Sequence, residues 1–268
     1  MTIKAMRKPL ILGNWKMHGG YDTNSELINA ILTGIKTDNT PALTDVGICV
    51  PHVYLSHTED LCFSQPLFYG AQDCSAFAQG AYTGDISATM LTEFGVHYVL
   101  VGHSERRLYQ HETSDIVALK AKQALLSDIT PVICVGETLA QREANTTLAV
   151  LTEQLQAVLN VLGSDSIEKC IIAYEPVWAI GTGKTATPEQ AQAVHSFLRN
   201  WLNENHVNGS AVRLLYGGSM KPDNAASLLT QPDIDGGLIG GAALKATDFL
   251  AIIAAANAIS KINCNTTQ

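Results

Sequence analysis

Short runs of apolar residues recur along the chain and alternate with longer segments of helical pattern. The runs are four to six residues long and lack a strict alternation of polar and apolar positions. That pattern is typical of strands buried on both faces of a parallel sheet. The predicted strands are 10–15, 46–51, 67–72, 98–102, 132–136, 170–175, 212–217 and 238–241.

Two of the intervening segments carry clear helix signals. Leucine and valine recur at spacings of three and four from Leu148 to Leu162, which places them on one face of a helix. The sequence TPEQ at 187–190 is typical of a helix start, because threonine can cap, proline fits the first helical position and glutamine can close a capping box. We therefore predict a helix through 191–202.

Eight strands alternating with eight helical segments predict βα units in one parallel sheet. No linker or low-complexity stretch divides residues 1–268, so we expect a single domain. Eight such units can close into a (β/α)₈ barrel, whose typical length is about 250 residues. A doubly wound open sheet is the alternative that the pattern leaves open. In a barrel, functional residues lie where strands end.

The formal net charge of −8 disfavours nucleic acid and anionic membrane as partners. The six cysteines include no C-x-x-C pair, and we interpret them as buried free thiols of a reducing compartment. With no targeting segment and no apolar run of membrane-spanning length, we expect a cytoplasmic protein. The histidines show no metal-ligand spacing, so no metal site is predicted.

Two ionisable side chains follow buried strands. Glu175 ends a very apolar run, where burial would raise its pKa and make it a candidate general base. An ion pair with a lysine or arginine of the barrel is the alternative. His103 follows Gly102 at an apparent helix start, and the positive helix end would keep its ring neutral. A purely structural histidine is the alternative there.

A lysine and an asparagine stand at the end of the first strand. Alternation along the strand would put Asn14 and Lys16 on one face, and a lysine inside a barrel requires an anion. That anion could be a substrate phosphate, a developing enediolate or Glu105. The alternative is that Lys16 lies at a strand end exposed to solvent.

Glycine pairs follow the last two strands, in Gly217-Gly218-Ser219 and Gly240-Gly241. Barrels often bind phosphate there through backbone N–H groups. Ordinary tight turns are the alternative for either pair alone, but the two together indicate phosphate. The sequence GKT at 183–185 lacks the earlier glycine of a P-loop, because Trp178 occupies that position.

Five segments together resemble the triosephosphate isomerase family: NWKM at 14–17, GHSERR at 102–107, AYEPVWAIGTGK at 173–184, YGGS at 216–219 and GG at 240–241. They appear in the family's order, and the resemblance covers about 9–257. It implies a TIM barrel that interconverts dihydroxyacetone phosphate and D-glyceraldehyde 3-phosphate through an enediol(ate), in glycolysis and gluconeogenesis, without a cofactor.

The resemblance also implies roles, including the family's known pairing of glutamate and histidine. Glu175 would be the base, and His103 would polarise the carbonyl and move protons between the oxygens. Lys16 would stabilise negative charge, Asn14 would orient the carbonyl, and Glu105 would support Lys16 and His103.

Further expectations from the resemblance concern the phosphate, a lid and a partner subunit. Residues 176–185 would form the lid, latched by Tyr216 and Ser219. A homodimer would form through residues 72–85, with Thr83 near the partner's Asn14 and Lys16. The residues expected to bind the substrate and its phosphate are Asn14, Lys16, Gly181, Ser219, Gly240 and Gly241.

Two other functions remain open from the residues alone. A lyase or aldolase could use Lys16 as a Schiff base, which would leave a covalent adduct that can be trapped. A barrel kept as a scaffold or binding protein would need none of this chemistry, and the complete catalytic set disfavours it as the only role.

Overall fold

The computed structural model describes residues 7–37, 43–180 and 185–265. Eight parallel strands close into a barrel in chain order, and β1 pairs with both β2 and β8. The barrel prediction is therefore confirmed, and the open sheet is excluded. The strands are β1 Leu10–Asn14, β2 Asp45–Val50, β3 Phe68–Ala71, β4 Tyr98–Val101, β5 Thr130–Val135, β6 Ile171–Tyr174, β7 Arg213–Tyr216 and β8 Gly236–Ile239.

The eighth strand differs most from its predicted bounds. It begins at Gly236 rather than Leu238 and ends at Ile239, so Gly240 and Gly241 follow the strand. Gly236 pairs with Leu10 of β1, and a side chain at Gly236 would collide with the Leu10 carbonyl. The close approach needs glycine. Because glycine has low β-propensity, the pattern of β-branched residues does not predict that the strand begins at Gly236.

Eleven α-helices among the described residues surround the barrel. They are α1 Tyr21–Thr37, α2 Leu55–Cys62, α3 Ala88–Thr92, α4 Ser104–Tyr109, α5 Ser114–Leu126, α6 Leu139–Glu143, α7 Thr147–Leu162, α8 Ser164–Ile167, α9 Pro188–Glu204, α10 Ala225–Leu229 and α11 Ala246–Asn265. Short 3₁₀ segments lie at His52–Tyr54, Val177–Ala179 and Gly241–Leu244.

The capping box predicted at 187–190 is present at the start of α9. Thr187 Oγ1 accepts the Gln190 N–H at 3.2 Å, and Gln190 Oε1 accepts the Thr187 N–H at 3.0 Å. The helix begins at Pro188, the predicted first helical position, and ends at Glu204, two residues beyond the predicted end. In α7, Leu151 and Leu155 of the predicted stripe are buried, whereas Leu148 is exposed.

Both faces of the strands are buried, which explains why the sequence shows no alternation. Leu10 and Leu12 point into the barrel and pack with Cys134 and Leu215, while Ile11 packs in the outer layer between strands and helices. Every cysteine whose side chain the structure describes is free and buried, as predicted; Cys264 lies outside that set. Over the described ranges, no helix is long and apolar enough to cross a membrane.

Candidate active site

A cavity of about 560 Å³ opens at the carboxyl ends of the strands. It brings together most residues singled out from the sequence, although these come from strands far apart in the chain. Those lining it are Asn14, Lys16, His103, Glu105, Glu175, Ser219, Gly240 and Gly241. Tyr216 lies outside the lining, and Gly181 lies outside the described residues.

Glu175 and His103 form a buried pair in this cavity. Glu175 is 2% exposed, and its Oε1 lies 2.8 Å from His103 Nε2. Its second oxygen accepts the backbone N–H of Ser104 at 2.8 Å. Gly217 makes room for the carboxylate, because a Cβ there would lie 2.9 Å from Glu175 Cγ. The partner of Glu175 is therefore a histidine, and not the lysine or arginine considered from the sequence.

The imidazole of His103 is held by the start of α4. His103 is the N-cap residue of this helix, and its Nδ1 accepts the backbone N–H of Glu105 at 3.3 Å. Gly102 permits the turn with a φ of +69°. A ring that accepts at Nδ1 carries its proton on Nε2, which is the tautomer of a neutral hydrogen-bond donor.

Charge coupling shifts the pKa of both members of the pair. Burial raises the pKa of Glu175, but His103 and the Ser104 N–H lower it by more, so it lies below its usual value. Burial lowers the pKa of His103, and the Glu175 carboxylate more than offsets this, so it lies above its usual value. The helix start favours a neutral ring, whereas the neighbouring carboxylate favours the charged one.

Lys16 reaches the cavity by a turn and not by strand alternation. Strand β1 ends at Asn14, and Lys16 has a left-handed backbone with φ of +52°. Asn14 Oδ1 accepts the Lys16 backbone N–H at 3.0 Å, which stabilises this conformation. The Lys16 ammonium forms an ion pair with Glu105. The predicted strand alternation does not extend to Lys16, because β1 ends at Asn14, although both side chains do line the same cavity.

The glycines after β7 and β8 also line the cavity. A Cβ at Gly218 would collide with the Tyr216 hydroxyl, and one at Gly240 would lie 3.6 Å from Lys16 Cε. Gly241 has open space in front of it and begins the 3₁₀ segment that follows β8. Exposed backbone N–H groups near a lysine form a suitable cradle for a phosphate.

Two further lysines line the same cavity and were missed in the sequence. Lys221 follows the first glycine motif and Lys245 the second, and both are exposed. With Lys16 they place three cations around the cavity of a chain whose net charge is −8. Glu105, Glu175 and Asp248 line the cavity as well, so the three lysines offset three carboxylates and the lining does not share the net negative charge of the chain.

A third missed residue, Glu137, anchors the segment that follows Glu175. Its Oε1 accepts the Tyr174 hydroxyl at 3.1 Å and the Trp178 indole N–H at 3.0 Å. The Arg142 guanidinium lies 5.0 Å above the Trp178 ring. Glu137 follows β5 after a glycine, so the strand-end rule that selected Glu175 would have found it too.

Tyr216 lies beneath the end of the expected lid. Burial raises the pKa of its phenol to about 12, against a smaller opposite effect of the Ala186 backbone. Ala186 stands just before the cap of α9, at the far end of the lid segment. The hydroxyl is therefore close to the backbone at Ala186, one residue beyond the segment expected to form the lid.

Comparisons with known proteins agree with this geometry. The family described as Triosephosphate isomerase matches residues 9–256. The triosephosphate isomerase of Paracidovorax citrulli is 55% identical over 250 residues, covering 93% of this chain and 99% of the relative. That of Cupriavidus necator is 54% identical over 248 residues, with 92% and 99% covered. The crystal structure of triosephosphate isomerase from Bartonella henselae superposes with a TM-score of 0.84 at 41% identity, covering 93% and 99% of the two chains.

Proposed function

The chain belongs to the triosephosphate isomerase family and interconverts dihydroxyacetone phosphate and D-glyceraldehyde 3-phosphate, and we propose that Glu175, His103 and Lys16 carry out the proton transfers. The observation that carries this proposal is the Glu175–His103 pair, 2.8 Å apart in a cavity that also holds the Lys16 ammonium. A base, a proton donor and a fixed positive charge are the three groups that enolisation of a carbonyl requires.

Glu175 removes a proton from the carbon next to the substrate carbonyl. The electron pair of the broken C–H bond forms the carbon–carbon double bond of the enediolate, and the carbonyl oxygen gains the negative charge. His103 Nε2–H donates to that oxygen and then exchanges protons between the two oxygens. Glu175 returns its proton to the neighbouring carbon, which gives the isomer and restores the carboxylate.

Substrate binding separates the buried pair and so changes its acidity. When the carbonyl oxygen accepts the hydrogen bond from His103 Nε2–H, Glu175 no longer receives that bond and keeps only the one from the Ser104 N–H. Its burial then favours the protonated form, which makes it a stronger base. His103 loses the adjacent carboxylate, so burial and the Lys16 charge favour its neutral form.

Lys16, Asn14 and Glu105 position charge around the reacting oxygens. The Lys16 ammonium offsets the charge of the enediolate and of the phosphate, and Asn14 orients the carbonyl and also holds the Lys16 turn. Glu105 fixes Lys16 through its carboxylate and His103 through its backbone N–H. Such prearranged charges stabilise the transition state without the reorganisation that water would require.

The phosphate end requires a closed cavity. In this proposal Ser219, Gly240 and Gly241 bind the phosphate, with Gly181 of the lid, and Tyr216 and Ser219 latch the lid. Closure matters because an exposed enediolate can expel its phosphate, so water must be excluded. The free space in front of Gly241 and the burial of Tyr216 support these assignments.

The test compares two site variants with a matched surface variant. We expect Glu175→Asp and His103→Gln each to lower kcat at least about 100-fold, because general acid–base catalysis by one group contributes about 10²–10⁴-fold. Glu153→Asp removes the same methylene from an exposed glutamate of α7 and should leave kcat unchanged. Near-normal turnover of either site variant would refute its role. A borohydride-dependent adduct on Lys16 would instead favour the Schiff-base alternative.

We also propose that the protein is a homodimer assembled through residues 72–85. The loop exposes a stacked pair, Phe77 and Tyr82, with ring centroids 4.1 Å apart. Met17, next to Lys16, is 94% exposed. Hydrogen bonds hold the loop in shape, from Ser75 to Asp85 at 2.7 Å and from Gln72 to the Lys16 carbonyl at 2.9 Å. Exposed apolar groups on a rigid loop are typical of an interface between subunits.

Sedimentation of wild type, Tyr82→Glu and Tyr109→Glu tests the dimer. Tyr82→Glu should convert the dimer to monomers, because it would bury an unpaired charge in the interface. Tyr109→Glu places the same charge on another exposed tyrosine, at the end of α4. A monomeric wild type, or equal dissociation of the two variants, would contradict the role of this loop.

The free buried thiols also support a cytoplasmic location, which cell fractionation would test.

A further inference from the structure

The backbone of Lys16 is held at both of its peptide groups. On one side, Asn14 Oδ1 accepts the Lys16 N–H at 3.0 Å. On the other side, the Lys16 carbonyl accepts a hydrogen bond from Gln72 Nε2 at 2.9 Å. The same nitrogen donates to the Cys49 carbonyl at 3.0 Å, so Gln72 joins the turn after β1 to β2. None of the site roles assigned above belongs to Gln72.

The orientation of the Gln72 amide follows from its two partners. A backbone carbonyl oxygen only accepts hydrogen bonds, so the atom that faces both carbonyls is the amide nitrogen with its two hydrogens. Gln72 directly follows β3, and β2 lies between β3 and β1 in the barrel. The side chain therefore crosses the end of β2 to reach the turn after β1. No pattern within one strand predicts this contact.

The backbone beside this glutamine is fixed by an ion-pair cluster. Asp73 accepts hydrogen bonds from Lys120 Nζ at 2.7 and 2.8 Å and forms an ion pair with Arg106 at 2.7 Å. Arg106 follows Glu105, which forms the ion pair with the Lys16 ammonium. The segment after β3 thus holds the carbonyl of Lys16 directly and supports its ammonium through α4.

We propose that Gln72 is a positioning residue that keeps Lys16 in its left-handed turn and its ammonium in the catalytic cavity; this inference rests on the proposed role of Lys16. A left-handed backbone is unfavourable for a residue with a side chain, so it persists where neighbouring groups hold it. Without the Gln72 donor, the carbonyl is free to turn and the residue can relax to a right-handed conformation. The direction of the side chain changes with the backbone, so the ammonium would occupy the cavity less often.

Selective labelling makes the Lys16 carbonyl observable, because Lys16-Met17 is the one Lys–Met pair in the sequence. Protein with ¹³C at its lysine carbonyls and ¹⁵N in its methionines gives a single carbonyl–nitrogen cross-peak by NMR. In Gln72→Met we expect the carbonyl resonance to move upfield, because a carbonyl that loses a hydrogen bond is less polarised. The control Gln156→Met removes an amide from the surface of α7 and should leave the cross-peak in place. An unchanged cross-peak in Gln72→Met would overturn the proposal.

A double-mutant cycle tests whether Gln72 acts through Lys16. The dissociation constant of inorganic phosphate is measured by ³¹P NMR in wild type, Gln72→Met, Lys16→Met and the double variant, with the oligomeric state of each checked by sedimentation. Gln72→Met should raise this constant about three- to tenfold when Lys16 is present, which is the range for the loss of one hydrogen bond. In the Lys16→Met background the same substitution should change it by less than about twofold.

Failure of the Gln72 proposal and failure of the Lys16 role give different results. Equal weakening of phosphate binding in both backgrounds would show a general structural effect and overturn the positioning role of Gln72. If Lys16→Met alone left the phosphate dissociation constant and kcat unchanged, the proposed role of Lys16 would be refuted, and that result does not involve Gln72. The Lys16 carbonyl resonance would then still decide whether Gln72 holds the turn.

Discussion

His195 should make the protein less stable as the pH falls below neutrality. It lies in α9, is fully buried, and its Nδ1 is 3.2 Å from the Asp233 carbonyl. Its ring packs at 5.9 Å against Tyr174, edge to face. Burial lowers its pKa from 6.5 to about 4, with Asp235 and the Asp233 carbonyl acting in the opposite direction. The folded protein therefore holds this histidine neutral.

The sign and size follow from proton linkage. In the unfolded chain the histidine has a pKa near 6.5 and gains a proton as the pH falls, while the folded form resists protonation until about pH 4. The stabilisation is fully present above the unfolded pKa and is lost as the pH falls from about 7 to 4. A shift of that size corresponds to about 3 kcal/mol in total, of which about 2 kcal/mol is lost by pH 5.

Urea unfolding of wild type and His195→Asn between pH 7.5 and 5 measures this contribution. Asparagine can place an amide N–H where Nδ1 stood, and it does not titrate. The variant will be less stable at pH 7.5 because the side chain is smaller. Its stability should nevertheless fall by about 2 kcal/mol less than wild type on going to pH 5. Protein concentration is held constant, because dimerisation would otherwise contribute.

His206→Asn is the matched control. His206 is exposed and has a left-handed backbone with φ of +61°, which asparagine adopts readily. This variant should follow the wild-type pH profile. If His195→Asn also followed it, His195 would not be held neutral by the fold, and the reasoning from burial would be refuted.

Two further changes follow from the same geometry. The double variant Lys221→Met and Lys245→Met should lower kcat/KM about tenfold at low salt and weaken its salt dependence, because both lysines line the catalytic cavity. The control Lys122→Met, on the exposed side of α5, should change neither kcat/KM nor its salt dependence. Gly102→Ala should destabilise the protein by about 2–4 kcal/mol in urea unfolding, because its φ is +69° and the new methyl group would meet Val117. Gly163→Ala, with a φ of +75° and open space around it, should cost about 1 kcal/mol.

The sequence was sufficient to find the ionisable residues at strand ends. Glu175 and His103 follow apolar runs, and the barrel rule predicts that such residues meet at one mouth, as they do. The same rule could have selected Glu137, which follows β5, and Lys221 and Lys245, which follow the glycine motifs. They were missed because a charged residue in a loop looks like ordinary surface unless its neighbours in space are known.

The backbone details could not be predicted in the same way. Lys16 enters the cavity because Asn14 Oδ1 stabilises a left-handed turn, and local periodicity contains no information about such a turn. Likewise, β8 starts at a glycine because β1 passes too close for a side chain. Both features depend on contacts between segments distant in the chain, which propensity does not report.

The resting arrangement of the site is consistent with the proposal that Glu175 is stable as a buried carboxylate and becomes the base when substrate binds. Glu175 is almost fully buried, and its ionised form is maintained by two hydrogen bonds, from His103 Nε2 and from the Ser104 N–H. These bonds keep its pKa low, so it remains deprotonated while the cavity lacks substrate. In the proposed mechanism a bound carbonyl competes for the first of the two bonds, so the effect of burial, which already raises the pKa of the carboxylate, is offset less. Under the proposed mechanism, substrate binding itself would produce the basicity that Glu175 needs for proton abstraction.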